Sequence, residues 1–583
     1  MKKQKSTFIL LVLMALSLNA QNNAITSIPQ ESVYLQYNES LLFSGEHLKY
    51  KIYCLDKSKR TLTRVSKMGY VSLINKTGEV VFVHKIKLTD GSGYGDFFVP
   101  TSVPTGSYKL LGYSEWMKNF GREDFFQSDI HIINPYQVTE EAYLEQPMDS
   151  LNPVATRSIK QPITNGNRNL NKNSLLRLAL DKAISGKREK VALTISGTDA
   201  STFTGDYNIS IRKMDSISSP PQISAEFFFS EMLKRGKNAS TPNGVVNLPE
   251  LRGEIISGVI TTKDSNLPAE NLRISLSLPG DKYLFKVATS DSEGKFRFIL
   301  DREYDNLSGA LQILSDDLDK YEVTMDTQKI DRSGIQFTDF VLTKRLKDYI
   351  LEKSIQNQIE NAYRATKSDS IVPANHVAPF YRKFTTSYDL DDYTRFNSLQ
   401  ETIVEVVDQV GIRKLSNGDQ VFEVRPEIGY TDNSLLPMVF VDGLFIKKHQ
   451  DFMDYSSKKI KTISFSRDKV IVGSQVFQGV ILFETIDGGF YNDFYTPHIL
   501  NVDLFKPQSR KDYYIQQYSD NAAQKRIPDF RQQLLWEPDL DLSAGEKEVV
   551  FYTSDIPGQY EVVLEGFTSL GRPVSVKEKF VVE

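Results

Sequence analysis

The histidines are His47, His84, His131, His376, His449 and His498, and they stand far apart in the 583-residue chain. None pairs with another at four-residue spacing, and none lies beside a cysteine or a carboxylate cluster. A zinc centre or a Ser-His-Asp relay would therefore have to assemble from single residues distant in sequence. Cys54 is the sole cysteine, which excludes an internal disulfide framework and any cysteine-based zinc site. It follows the alternating Leu48, Tyr50 and Ile52 and reads as a buried core thiol, with intermolecular pairing as the alternative. Carboxylates cluster at Asp391-Asp392 and at Asp539 and Asp541. Glycosidases use such groups in pairs, but solvated loop charge, with Asp541 closing a turn, is the plainer account. Asp291-Ser292-Glu293-Gly294 has the outline of a calcium loop and the composition of a hairpin turn, and the turn is expected. No glycine-rich loop follows a strand and opens a helix as a phosphate site requires. The expectation is a non-enzyme with no catalytic, cofactor-binding or metal residues and no cofactor.

The elements that position these residues are mostly strands. Aromatic residues make up 11% of the chain, with 28 Tyr and 34 Phe but 2 Trp, a bias that suits pleated surfaces. Core and cross-strand packing accounts for the surplus, with glycan contact as the alternative. Hydrophobic residues at 40% and charged residues at 25% fit an ordinary folded protein, and the length suits roughly four domains of about 150 residues. Lys plus Arg number 70 against 74 Asp plus Glu, so no basic field is available for nucleic acid. At the N-terminus, Lys2, Lys3 and Lys5 precede the apolar Phe8 to Leu18 and the small-residue end Asn19-Ala20. Residues 1–20 therefore read as a signal peptide cleaved after Ala20, too short in its apolar part to span a bilayer. No cysteine stands at the cleavage point, so a lipoprotein anchor is not expected. An exported, periplasmic protein associated with the outer membrane is.

Residues 28–136 alternate or run apolar at strand length in Tyr50–Tyr53, Tyr70–Ile74 and Val80–Val83. Turn residues separate these runs at Ser44-Gly45, Gly78, Asp90–Gly93 and Pro104–Gly106. The order Val33-Tyr34-Leu35, Ser44-Gly45-Glu46, Gly91–Phe97 and Pro104-Thr105-Gly106-Ser107-Tyr108-Lys109-Leu110 resembles a macroglobulin-type β-sandwich. Trp116–Gly121 with Ile132–Pro135 resembles the version found in exported proteins of Bacteroidetes-type bacteria. The reactive thioester of the macroglobulin family needs Cys-x-Glu-Gln, and Cys54 is followed by Leu55-Asp56-Lys57. No thioester-linked substrate is expected. Residues 137–173 read as a polar linker, and a protease-cleaved bait there is the mark of an alternative, protease-interacting role. Residues 174–247, with strands Val191–Ile195 and Tyr207–Ile211 and a helix near Ala225–Arg235, resemble a second macroglobulin-like sandwich. Residues 251–343 are similar to the carboxypeptidase regulatory-like sandwich, through Gly258-Val259, Pro268 and Thr289 to Gly294-Lys295-Phe296. Residues 344–399 form a helical connector: Leu346, Tyr349, Ile350, Ile355, Ile359, Ala362 and Tyr363 lie at helical spacing, and the apolar face is expected to dock on a neighbouring sandwich. Residues 491–583 read as a C-terminal β-sandwich.

Residues 400–490 hold the most specific pattern. Ile403–Val407, Pro437-Met438-Val439-Phe440-Val441-Asp442-Gly443, Ile460–Arg467, Gly473, and Gly479-Val480-Ile481-Leu482-Phe483-Glu484-Thr485 follow in the order that resembles the plug domain of TonB-dependent outer-membrane receptors. Pro437, Val441, Asp442, Gly443, Ile463, Gly473, Gly479, Val480, Ile481 and Thr485 carry the likeness as structural and interaction residues. A receptor barrel of about 22 strands of ~10 residues does not fit in the chain after Phe490. The fold class expected is mainly β: Ig-like and macroglobulin-like sandwiches with an inserted small α/β plug-like domain. The function expected is that of an accessory subunit recognising an outer-membrane barrel or another envelope protein of a transport or assembly complex. The alternatives are a plug-like regulator of a separate barrel in nutrient uptake, and a macroglobulin-like protease-interacting protein or cryptic hydrolase.

Overall fold

The computed structural model describes residues 28–144, 174–236, 246–263, 268–315, 320–327, 330, 332, 334–373, 378–429, 432, 434–473, 475–518 and 526–583. The signal-peptide reading of 1–20, His376 and the linker from 145 to 173 lie outside them. The chain is mainly β, gathered into many small sheets. Two compact units divide it: Met1–Leu251 with Ile330–Pro373 and Pro507–Glu583, and Arg252–Lys329 with Ala374–Lys506.

In the first unit, Glu31–Tyr37 pairs antiparallel with His47–Asp56, which pairs in turn with Ser92–Phe98. The facing sheet runs Leu41–Phe43, Phe126–Ile133, Gly106–Tyr113, Met68–Asn75, Val80–Lys87. Val33, Leu35, Ile52, Leu73, Leu110 and Ile130 fill the space between. A sheet with one wet face would bury alternate residues. Glu31–Tyr37 is buried throughout because its other face is also covered. There Tyr34 packs on Phe228 of the helix Ala225–Arg235 and on Phe567. That helix lies where the sequence places it. Ser224 accepts from the Phe227 N–H at its start, and Gly236, at φ +65°, ends it.

A second sandwich in this unit interleaves two distant parts of the chain. One sheet is Leu176–Leu180, Lys190–Gly197, Lys547–Tyr552; the other is Ile184–Ser185, Pro573–Val582, Gly558–Thr568, Gly205–Lys213, Gln533–Leu540. The boundaries 174–247 and 491–583 thus cut one sandwich in two. Alternation in Val191–Ile195 or Tyr207–Ile211 marks an apolar face but not the strand it meets. Ile211 pairs with Val562 on one side and Leu535 on the other.

The connector helix runs Lys347–Ala362, and its docking differs from expectation. Lys353, Ser354 and Asn357 are buried, while Leu351 and Ile355 are 56% and 47% exposed. Charge holds the helix in place. Lys353 pairs with Asp215 and, at 3.7 Å, with Glu46, and the Asn361 amide donates to the Gly45 carbonyl at 2.9 Å. Leu346, Tyr349 and Ile350 pack at its N-terminal end against the cluster of Leu41, Phe43 and Phe340.

In the second unit, Glu254–Thr262, Lys295–Leu300 and Tyr321–Met325 form one sheet, and Leu284–Thr289, Arg273–Leu278, Ser308–Ile313 and Leu500–Asp503 the other. Residues 500–503 therefore complete a sheet of the 251–343 module rather than begin a C-terminal sandwich. Asp291 to Gly294 is a tight turn closed by the Gly294 N–H to the Asp291 carbonyl at 2.9 Å. A five-stranded sheet runs Thr386–Asp389, Ile460–Val472, Gln475–Thr485, Met438–Val441, Leu444–Phe445. Its first strand comes from the 344–399 segment, so that segment is not wholly a helical connector. Ile403 to Val406 lie in the helix Leu399–Val406, opened by a reciprocal cap between Ser398 and Glu401.

Candidate functional site

The residues that carry the sequence pattern of 437–485 lie in or beside that five-stranded sheet. Met438–Val441 runs parallel to Gln475–Thr485, with Val441 opposite Phe483, and Ile460–Val472 pairs antiparallel on the other side, with Ile463 opposite Phe483 as well. Val441, Ile463, Val480 and Ile481 have no exposed surface. Asp442 and Gly443 turn the chain at φ +46° and +83°. The Asp442 carboxylate accepts from the Thr485 N–H at 2.7 Å, from the Thr485 hydroxyl and from the Phe490 N–H at 3.1 Å. One buried side chain therefore ties the turn to the end of a neighbouring strand and to the segment after it. A Cβ on Gly443 would lie 2.3 Å from Tyr283 Cβ, and one on Gly479 would lie 2.6 Å from the Ser466 carbonyl oxygen.

Pro437 leads into the parallel strand, and its carbonyl is hydrogen-bonded by the His449 ring, whose Nδ1 accepts from the Phe422 N–H at 3.2 Å. Burial pushes His449 down to about 4, so the ring is neutral and serves as a spacer between two backbone segments. Spacing gave no sign of that role, because its partners are main-chain groups. Gly473 stands at the tip of the hairpin formed by Ile460–Val472 and Gln475–Thr485, with open space around it. Ile471 faces Val476 across this hairpin, and the two are 70% and 38% exposed. Val470 and Val472 point the other way and pack beside Phe440, Phe445 and Phe477. The tip is thus anchored on one face and apolar on the outer one. The ten sequence-named residues set a shape, and the surface that shape offers is formed by Ile471 and Val476, which the sequence pattern did not single out.

Reactive residues named from the sequence are tied up in contacts with their neighbours. His47 Nδ1 lies 3.1 Å from Asp96 Oδ2, the nearest approach to a catalytic dyad among the described residues. Asp96 also takes Lys511 at 2.7 Å and the Tyr513 hydroxyl at 3.4 Å. Although burial opposes ionisation, His47 and Lys511 hold its carboxyl far below the usual range. Burial lowers His47 itself. Among the described residues no serine, threonine or cysteine hydrogen-bonds the His47 ring. His84 contacts the Tyr50 hydroxyl at 2.7 Å and Gln508 at 2.9 Å, and His131 contacts Thr338 at 3.2 Å. Burial lowers both to about 4. Cys54 is wholly buried, and burial, then the charge of Glu31, pushes its thiol well above the ordinary value, which leaves little thiolate for nucleophilic chemistry. Asp391 pairs with Arg395 at 2.6 Å, and Asp539 with Arg510 at 2.8 Å. Asp541 accepts from the Ser543 N–H at 2.9 Å.

These features define a mainly β protein whose reactive side chains hold elements together. No family model matches the chain, and no curated protein matches it. Among solved structures it aligns with Salmonella alpha-2-macroglobulin reacted with methylamine, at 9% identity and a TM-score of 0.22 over 95% of this chain and 39% of that one. It aligns with the native conformation of E. coli alpha-2-macroglobulin at 10% identity and a TM-score of 0.23, over 96% and 40%. FdeC, an E. coli adhesin, aligns at 11% identity and a TM-score of 0.13, over 48% and 58%. The chain thus spans about two fifths of the macroglobulins it matches, and likeness at these scores fixes neither fold nor activity.

Proposed function

We propose that this chain is an exported, non-enzymatic interaction protein of the cell envelope, an accessory subunit that recognises an outer-membrane barrel or another envelope protein in a transport or assembly complex. The observation that carries the reading is the plug-like segment. Its ordered sequence pattern falls largely within one sheet, and that sheet presents an anchored hairpin whose outer face is apolar at Ile471 and Val476. The hairpin is the contact element in this reading, and Thr386–Asp389, the outer strand of the same sheet, is an edge that can receive a partner strand.

The test is in-cell photo-crosslinking of the full-length protein, with the crosslinker at position 476 and, as a control, at the remote hairpin turn position 417. The expected product is a barrel or envelope protein crosslinked from 476 and not from 417, with a lower yield in Ile471→Asp. Equal products from both positions, or a protein recovered free of any envelope partner, would overturn the reading.

A further inference from the structure

Within the first unit a cavity of about 370 Å³ is lined by residues of His47–Asp56, of the helix Lys347–Ala362 and of the segments around 369 and 530. Most of its charges are already satisfied. Arg212 pairs with Glu39 and Glu46, Lys367 with Glu360 and Asp529, Lys511 with Asp96, and Arg531 with Asp529. Two cations are different. Among the described residues no carboxylate lies within ion-pair reach of Lys49, whose ammonium instead sits 4.4 Å from the centre of the Tyr513 ring. The exposed Arg364 rests on Phe98 in the same way, at 5.0 Å. A third donor is the amide of Asn357, a residue 95% removed from solvent whose Nδ2 has no hydrogen-bond partner among the described residues.

A buried amide N–H and a desolvated ammonium without an anion are each costly to leave unmatched. Against them stands one lining carboxylate with no cationic partner among the described residues, Asp369, which accepts from the Tyr514 N–H at 2.9 Å. The unpaired charge of the cavity is thus +1, which one carboxylate neutralises and a phosphate dianion overshoots. The volume suits a small organic molecule rather than a bare ion. We propose that this cavity binds a small carboxylate-bearing ligand, with Lys49 and Asn357 holding the carboxylate and Arg364 at its exposed side. Burial lowers Lys49, and Lys511 and Arg212 lower it further against the opposing pull of Asp369 and Asp96, so a bound anion would also favour its charged form.

The experiment is isothermal titration calorimetry of the full chain with D-glucuronate, neutral D-glucose, inorganic phosphate, and a trialanine peptide with a free or an amidated C-terminus. The expected result is binding of glucuronate or of the free-acid peptide, whichever supplies the carboxylate, and of neither glucose nor the amide. Lys49→Gln and Asn357→Leu should each weaken binding by about tenfold or more, as loss of a charge-assisted or otherwise unmatched hydrogen bond does. Arg364→Ala, at an exposed position that leaves the core intact, should weaken it severalfold, which keeps the test open if the buried variants misfold. Binding of phosphate in preference to every carboxylate, failure of all carboxylates to bind, or carboxylate affinity unchanged in all three variants would overturn the assignment.

Discussion

Asp442 offers the sharpest test of how the five-stranded sheet of the second unit is held. Its carboxylate accepts three hydrogen bonds from Thr485 and Phe490, its side chain is buried, and its backbone lies at φ +46°. Three substitutions separate these contributions. Asp442→Asn keeps the left-handed turn and one acceptor oxygen but removes the charge and leaves one donor unmatched, at a cost of about 2–3 kcal/mol. Asp442→Gly keeps the turn and loses all three hydrogen bonds, at about 3–5 kcal/mol. Asp442→Ala adds a left-handed alanine, for a further 1 kcal/mol or so. Hydrogen exchange by mass spectrometry, on peptides covering 438–445 and 480–494, reads this locally, where a global melt would average over both units. A loss of about 3 kcal/mol should speed the amides that exchange through this opening by about 100-fold. The order of protection should be wild type, Asn, Gly, Ala. If Asp442→Gly protects these peptides as well as the wild type, or if Asn and Ala behave alike, the carboxylate does not hold the sheet and the reasoning fails.

Other expectations follow from the same contacts. Glu565 is fully buried, accepts from the Tyr34 hydroxyl and from Ser575 at 3.3 Å, and is raised by burial to about 7 from 4.5. The folded state therefore holds this proton more tightly than the unfolded state, so the contribution is complete below about pH 4.5 and is lost as pH rises through about 7, amounting to about 3 kcal/mol. Urea titrations across that window should show the slope, and Glu565→Gln should flatten it. Gly443→Ala should cost at least about 2 kcal/mol, since its new Cβ meets Tyr283 at 2.3 Å, while Gly473→Ala meets nothing and should cost only about 1 kcal/mol for its left-handed turn; thermal melts compare the two. Cys54 should resist a thiol reagent in the folded protein and react fully in guanidinium; rapid labelling of the native chain would contradict its burial.

What was legible in the sequence follows from what local pattern can encode. Ser224 and Gly236 bracket a helix with its own end signals, and Asp442-Gly443 announces a turn with residues that tolerate positive φ. Strand existence was visible in alternation. Strand partnership was not, because Tyr207–Ile211 has the same alternation whether it pairs with a near neighbour or with Gly558–Thr568. The helix Lys347–Ala362 misled for a physical reason. Its apolar spacing suggested a hydrophobic dock along its length; Leu346, Tyr349 and Ile350 do pack on an apolar cluster, but beyond them Lys353 is buried against Asp215 and Glu46, and ion pairs of that kind leave no period in a sequence. His449 escaped notice for the same reason, since a histidine bonded to backbone at both nitrogens depends only on where the main chain passes.

The exposed hairpin sets a limit on how the proposed partner can bind. Ile471 and Val476 are outward because Val470 and Val472 are inward, and period two in a paired strand leaves no choice. Burying two such side chains is worth about 1.5–3 kcal/mol each, about 6 kcal/mol at most. That corresponds to a Kd of about 4 × 10⁻⁵ M at best, even before the costs of association and side-chain ordering are counted. A stable complex therefore needs more surface than the tip. An edge of the same sheet is the outer side of Thr386–Asp389, where main-chain hydrogen bonds to an added strand could supply the difference. Ile471→Asp should accordingly weaken the crosslinked complex without abolishing it, and complete loss from that one substitution would mean that the tip fills a pocket in the partner instead.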